Sequence, residues 1–313
     1  MIIGDNMRKV LTMIFLLSLF GASLYFRENI SSFLAKSFSN INKETTPLIN
    51  NGFSRNDSFE YVQITDNFIV HNVQEIKNVY YTIFNSGVSS YTFYCANEYK
   101  ECLDDINYIS NNQKLLSHIN NFVPVFNTFK NVETKFDNLG KVTVNVILTY
   151  NDDVIINVTN SKINQIIKEK INDKQTDKEK IRIIHDYIIN HSKYDSDRSD
   201  RKIIKYHSDM AYGPLVEGYA ICGGYADAMK LFLDKLEIPN FKIASENHVW
   251  NVVKVDDKWL HLDLTWDDPV TSSGEDVLEY DYFLITNEEL EKLEKEEHNF
   301  DKEVYLELTE KDA

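Results

Sequence analysis

HVWNVVKVDDKWLHLDLTW, residues 248–266, reads as two strands around Asp256-Asp257, because a two-residue loop tolerant of positive φ joins two apolar-alternating runs. Such a loop pairs Val255 with Lys258. Stepping back along both strands then pairs Trp250 with Asp263 and His248 with Thr265. One face collects Val249, Asn251, Val253 and Val255 against Leu264, Leu262, Leu260 and Lys258, and this nearly all-apolar face belongs in a core. The other collects His248, Trp250 and Val252 with Thr265, Asp263, His261 and Trp259. His248 and Asp263 become diagonal neighbours, with backbones about 7 to 8 Å apart and side chains within reach. A slip of one residue would bury Asp263 unpartnered among the leucines, at high cost for a carboxylate. The alternation therefore predicts a histidine–carboxylate pair.

Upstream lies Glu217-Gly-Tyr-Ala-Ile-Cys222-Gly-Gly-Tyr-Ala226, where a glycine-rich loop meets a helical pattern. Ala226, Met229, Leu231, Phe232, Leu233 and Leu236 recur at near-helical intervals, which puts Cys222 in the first turn of a helix. A thiol ionises more readily at a helix N-terminus or beside an imidazolium. Gly218, Gly223 and Gly224 leave room for a substrate chain, and the Cys222 amide is a natural oxyanion donor, with Tyr212 a candidate for a second. An isolated cysteine at a helix start is more often buried filler; the predicted His248 and Asp263 pair changes that balance. A thiol, an imidazole and a carboxylate in this order suggest acyl transfer through a thioester.

The segments Ser208 to Ala226, His248-Val-Trp-Asn251 and Trp259-Leu-His-Leu-Asp-Leu-Thr-Trp-Asp-Asp268 resemble the bacterial transglutaminase-like superfamily, which shares a papain-like core. The resemblance extends over about residues 176 to 290, including Ile184-His-Asp-Tyr-Ile-Ile189 and Tyr282-Phe-Leu-Ile-Thr286. It implies an α+β fold in which a helix carrying Cys222 packs on an antiparallel sheet carrying His248 and Asp263. It also implies that Cys222 is the nucleophile, His248 the general base and acid, and Asp263 the residue orienting the imidazole. Family members include cross-linkers, deamidases and cysteine proteases, so the resemblance leaves the reaction type open. It calls for no cofactor or metal; the expected partner is a protein or peptide substrate, at the cell surface or in the wall.

Residues 10–26, VLTMIFLLSLFGASLYF, form the only long uncharged apolar run of the 313 residues. It would span about 25 Å as a helix, the short end of a membrane crossing. Arg8 and Lys9 precede it and mark the cytoplasmic side. We expect an uncleaved transmembrane anchor with the rest of the chain outside the cytoplasm; the rival is a cleaved signal peptide, although no clear small-x-small site follows. The net charge of −16 argues against nucleic acid as a partner.

Three cysteines fit an oxidising compartment if Cys95 pairs with Cys102 and leaves Cys222 free. On one continuous helix their Cα atoms would stand roughly 10 Å apart, so the bond requires Ala96 to Glu101 to turn. Two reduced, unrelated cysteines are the alternative.

The expected organisation is a cytoplasmic N-terminus (1–9), an anchor (10–26), a polar stalk (27–58), a small α+β domain (59–172) and the transglutaminase-like domain (173–313). Within the first domain the pattern predicts strands over Glu60 to Thr65 and Tyr91 to Cys95 and a helix over Asn72 to Phe84. There follow one long helical region over Cys102 to Asn121, a strand pair around Asn138-Leu-Gly140 and a helix over Asp153 to Asn172. The second domain opens with the capping signature Thr176 to Glu179. A polar turn is expected over Tyr194 to Arg201, and a second capping box, Thr286 to Glu289, opens an acidic helix read as a solvated face.

Other constellations rank lower. His185 and His191 are spaced too poorly for a shared metal, and Asp195 to Asp200 lacks the glycine and terminal glutamate of a calcium loop. His261 lies on the face of the pair and reads equally as structural. Trp250, Trp259 and Trp266 read as packing rather than as cleft walls. The alternative to an enzyme is a non-catalytic cell-surface binding module built on the same fold.

Overall fold

The structure, a computed structural model, describes residues 59–308 except 60, 64, 271–276, 294–295, 303–304 and 306–307. The expected anchor and stalk lie outside the described residues, among which no helix is long and apolar enough to cross a membrane. The described residues fall in two units, 63–68 in one and 59–62 with 69–308 in the other; the elements that follow all belong to the second.

A four-stranded sheet opens this unit, in the order β1 (Ile69–Val70), β2 (Ser90–Cys95), β4 (Lys141–Leu148) and β3 (Phe129–Phe136). Tyr91 and Phe93 on β2 and Val142, Val144 and Val146 on β4 are buried at alternate positions, as period 2 demands. Helix α1 (Val73–Ser86) is capped by the Asn72 side chain and ends on Gly87 at φ 65°. Glycine takes that conformation with no Cβ penalty. The described residues of the expected strand 60–65 are irregular instead.

The expected single helix from Cys102 is broken into α2 (Cys102–Asn111) and α3 (Gln113–Phe122). Asn112 ends one helix and, with its side chain accepting from the Leu115 amide, caps the next. An asparagine that offers the backbone this alternative partner stops a helix that periodicity alone would continue. Ahead of α2, Tyr99 N–H donates to Ala96 and Cys102 N–H to Tyr99. This turn brings the Cα atoms of Cys95 and Cys102 to 6.0 Å in a disulfide.

Helix α4 (Asp153–Lys170) and helix α5 (Asp177–His191) flank the polar break at 173–176, and α5 begins with the full reciprocal capping box of Thr176 and Glu179. Ile163 and Ile166 of α4 nevertheless share one core with Ile181, Ile184 and Ile188 of α5. A two-residue strand β5 (Lys193–Tyr194) pairs in parallel with β6 (Tyr219–Ala220). The expected polar turn between them is a short helix, α6 (Ser196–Arg201), because Asp195 supplies an N-cap to the Arg198 amide.

Helix α7 (Cys222–Lys235) packs on the second sheet, ordered β10 (Phe283–Ile285), β9 (Lys258–Leu262), β8 (Val249–Val255) and β7 (Asn240–Ala244). Asp256 and Asp257 both have positive φ, 50° and 63°, the geometry of the tight hairpin turn expected there. The register is the predicted one: Val255 faces Lys258, Val253 faces Leu260 and Asn251 faces Leu262. Val253, Val255, Leu262 and Leu264 enter the core with α7, where the Asn251 side chain donates to the Ala226 carbonyl at 3.0 Å. The opposite face is buried too. Trp250, Val252, Phe241 and Ile243 pack with Phe122, Tyr282, Leu290, Phe300, Tyr305 and Leu308. The acidic helix, α8 (Asn287–Leu293), is mostly exposed apart from Leu290, and the chain after it supplies Phe300, Tyr305 and Leu308 to a core.

Candidate active site

Cys222 is the first residue of α7 and is partly exposed. The preceding Ile221 offers no side-chain cap to the first amides of the helix, so these donors stay available to a ligand. Ser208 holds the approach: its carbonyl accepts from the Ile221 amide at 2.8 Å, and a Cβ on Gly224 would stand 2.3 Å from that oxygen. Glycine at 224 is thus required by the close approach of two backbone segments. Tyr212, the candidate second oxyanion donor, packs edge-on against His207.

His248 lies just before β8 and Asp263 just after β9, and the two side chains meet as the register requires. His248 Nε2 is 2.6 Å from Asp263 Oδ2, and the imidazole also lies beside the Cys222 thiol, which helps to raise it. All three residues singled out in the sequence are therefore together, with the imidazole between carboxylate and sulfur. Burial opposes a charge on His248, but the Asp263 carboxylate and the contact with Cys222 outweigh it and raise the imidazole to about 10. Burial likewise opposes charge on Asp263, yet the two histidines bonded to it hold the carboxyl well below the usual range. Its second oxygen, Oδ1, accepts from the Thr265 amide at 2.9 Å.

The second of those histidines, His298, was not singled out in the sequence. Its Nε2 is 2.8 Å from Asp263 Oδ2. It lies in the run Glu294-Lys-Glu-Glu-His298-Asn-Phe300, whose local pattern carries no sign of a site. His248, Asp263 and His298 present ligand atoms within 4.8 Å of one another, the composition of a two-histidine, one-carboxylate metal grouping. In the arrangement seen, each Nε2 is engaged with the carboxylate.

The three tryptophans and His261 are packing residues. Trp250 is buried and donates from its indole to His261 Nδ1 at 3.0 Å. Burial and the neighbouring His298 lower the His261 imidazole to about 3, so it stays neutral. Trp259 and Trp266 pack on the same core. The Tyr150 hydroxyl accepts from the Ala211 amide at 2.7 Å and donates to Asp227 on α7 at 2.9 Å. Asp227 in turn pairs with Lys242 at 2.6 Å. Tyr150 thereby ties the loop before Cys222 to the helix that carries it.

Residues 164–264 match the family model described as the Transglutaminase-like superfamily. A search of the curated proteins gives no match. Among solved structures, the chain is similar to one described as the crystal structure of a TGase, with 14% identity and a TM-score of 0.33. That match takes in 64% of this chain and spans 59% of the length of the other.

Proposed function

With residues 164–264 forming a transglutaminase-like segment, we propose that the protein is a thiol acyl-transfer enzyme whose nucleophile is Cys222. The observation that carries this reading is the placement of His248, bonded on one side to Asp263 and lying beside the Cys222 thiol. The imidazole takes the thiol proton, and the sulfur attacks a glutamine carboxamide or peptide carbonyl. His248 returns the proton to the departing ammonia or amine, leaving a thioester on Cys222. An amine or water then takes the acyl group, with His248 now accepting its proton. The amide of Cys222, at the open start of α7, is the proposed donor to the developing oxyanion.

The proposed setting is outside the cytoplasm, on surface or wall proteins, with the catalytic part tethered by residues 10–26. The disulfide between Cys95 and Cys102 supports an oxidising compartment, and it leaves Cys222 as the free thiol.

Iodoacetamide labelling tests the enzyme reading. Cys222 should react near pH 6 about a hundredfold faster than a model thiol, and His248→Ala should remove that advantage. Labelling at the model rate, unchanged by the substitution, would favour a binding module on the same fold. Incubation with a glutamine-bearing protein, with and without a primary amine, then separates the chemistries. Ammonia release or amine incorporation indicates transglutaminase or deamidase action, and new peptide termini indicate proteolysis.

A further inference from the structure

We infer that His298 is a positioning residue for the Asp263 carboxylate, and through it for His248, supplied by a segment outside the transglutaminase-like span. This rests on the thiol-enzyme reading above and adds a fourth side chain to its site. The matched span ends at residue 264, so His298 is brought to the site by a part of the chain that follows it.

The geometry is that of a clamp. Oδ2 of Asp263 meets His248 Nε2 at 2.6 Å and His298 Nε2 at 2.8 Å, while Oδ1 takes the Thr265 amide at 2.9 Å. A carboxylate held through Oδ2 by His248 alone would be free to follow that ring; a second imidazole on the same oxygen removes the freedom. His298 is itself immobilised. Its ring stacks on Tyr282 with centroids 5.1 Å apart, and it meets the Trp250 ring edge-on at 4.8 Å and the His248 ring edge-on at 5.2 Å. The residue is 4% exposed, and a donor so buried is placed by its bond rather than by solvent. The titratable groups around it are Asp263, His248, His261 and Tyr282.

The clamp has a chemical consequence. When His248 has taken the proton of Cys222 on its other nitrogen, the proton on Nε2 must stay on the imidazolium and not pass to the carboxylate. A second donor on Oδ2 stabilises the carboxylate charge and makes it a poorer proton acceptor. The imidazolium then remains oriented with its other nitrogen toward the sulfur. His298 thus acts without touching sulfur or substrate.

The test compares Cys222 labelling by iodoacetamide from pH 5 to 10 in the full chain and in His298→Gln, His298→Asn and His298→Phe. A glutamine amide nitrogen falls near the Nε2 position, whereas asparagine places its nitrogen about one bond short. Gln should stay within about twofold of the parent; Asn and Phe should lose about tenfold at pH 6, the scale of one hydrogen bond to a charged group. Superimposable profiles for Asn and the parent would overturn the inference, as would an equal loss in Gln and Asn, which marks simple packing. If Phe fails to fold, the contrast of the two amides decides the matter. A parent whose labelling ignores His248→Ala would sink the enzyme reading and this inference together. Dependence on His248 without a Gln–Asn contrast would sink this inference alone.

Discussion

Two buried histidine–carboxylate pairs occupy the same stretch of chain, and they differ in what the second ring nitrogen faces. His185 on α5 approaches Asp267 Oδ2 with Nε2 at 3.1 Å and Asp186 Oδ1 with Nδ1 at 3.0 Å. Both nitrogens are taken by carboxylates, and the ring is wedged against Phe283 and Tyr280. His248 has one nitrogen on Asp263 and its other side on a thiol. Burial opposes the charge on both imidazoles, and carboxylates raise both. A raised, buried histidine is therefore not by itself a sign of chemistry.

The carboxylates separate the pairs further. Burial dominates at Asp267 and raises it despite the bond from His185, whereas the two histidines bonded to Asp263 hold it low. Asp267 also accepts from the Tyr282 amide at 2.8 Å, and its neighbour Asp268 accepts from Tyr225 on α7. One pair bolts α5 to the loop after β9; the other leaves an imidazole beside the Cys222 thiol.

Substitution of each carboxylate gives the largest predicted difference. Asp263→Asn should lower single-turnover acyl transfer by about 10³ to 10⁴, since the amide neither balances the imidazolium nor holds its tautomer. Asp267→Asn should change the rate only a few-fold. Comparable losses in both would dissolve the distinction. His185→Gln should cost about 1.5 to 3 kcal/mol in urea unfolding while leaving the Cys222 labelling profile in place. A displaced profile would mean that the structural pair tunes the site.

The smallest effect concerns pH. His248 is raised in the folded state from 6.5 to about 10, so its contribution to stability is complete below the ordinary imidazole value and is lost as pH rises toward 10. Melting temperature should fall across that window, and the slope should flatten in Asp263→Asn. An unchanged slope would show that the pair is not charged in the folded protein.

Much of this was legible in local pattern. The period-2 alternation from His248 to Thr265 and the Asp256-Asp257 turn set a register that the sheet adopts, because slipping it would bury a lone carboxylate among leucines. The Thr176 capping box and the start of α7 were legible for the same local reasons. Features that depend on competition between alternatives were not. Asn112 breaks a helix by capping another, Asp195 converts a polar turn into helix α6, and the described residues of the strand expected over Glu60 to Thr65 form no strand.

Sequence alone thus determined the order of thiol, imidazole and carboxylate and the strand pairing that joins the last two. Only the tertiary structure decided that His185 is a bolt and that His298 reaches Asp263. The reason is one of range: hydrophobic periodicity and turn chemistry act over a few residues. A hydrogen bond between positions 263 and 298 depends on how a whole tail folds back over a sheet, and no local pattern records that path.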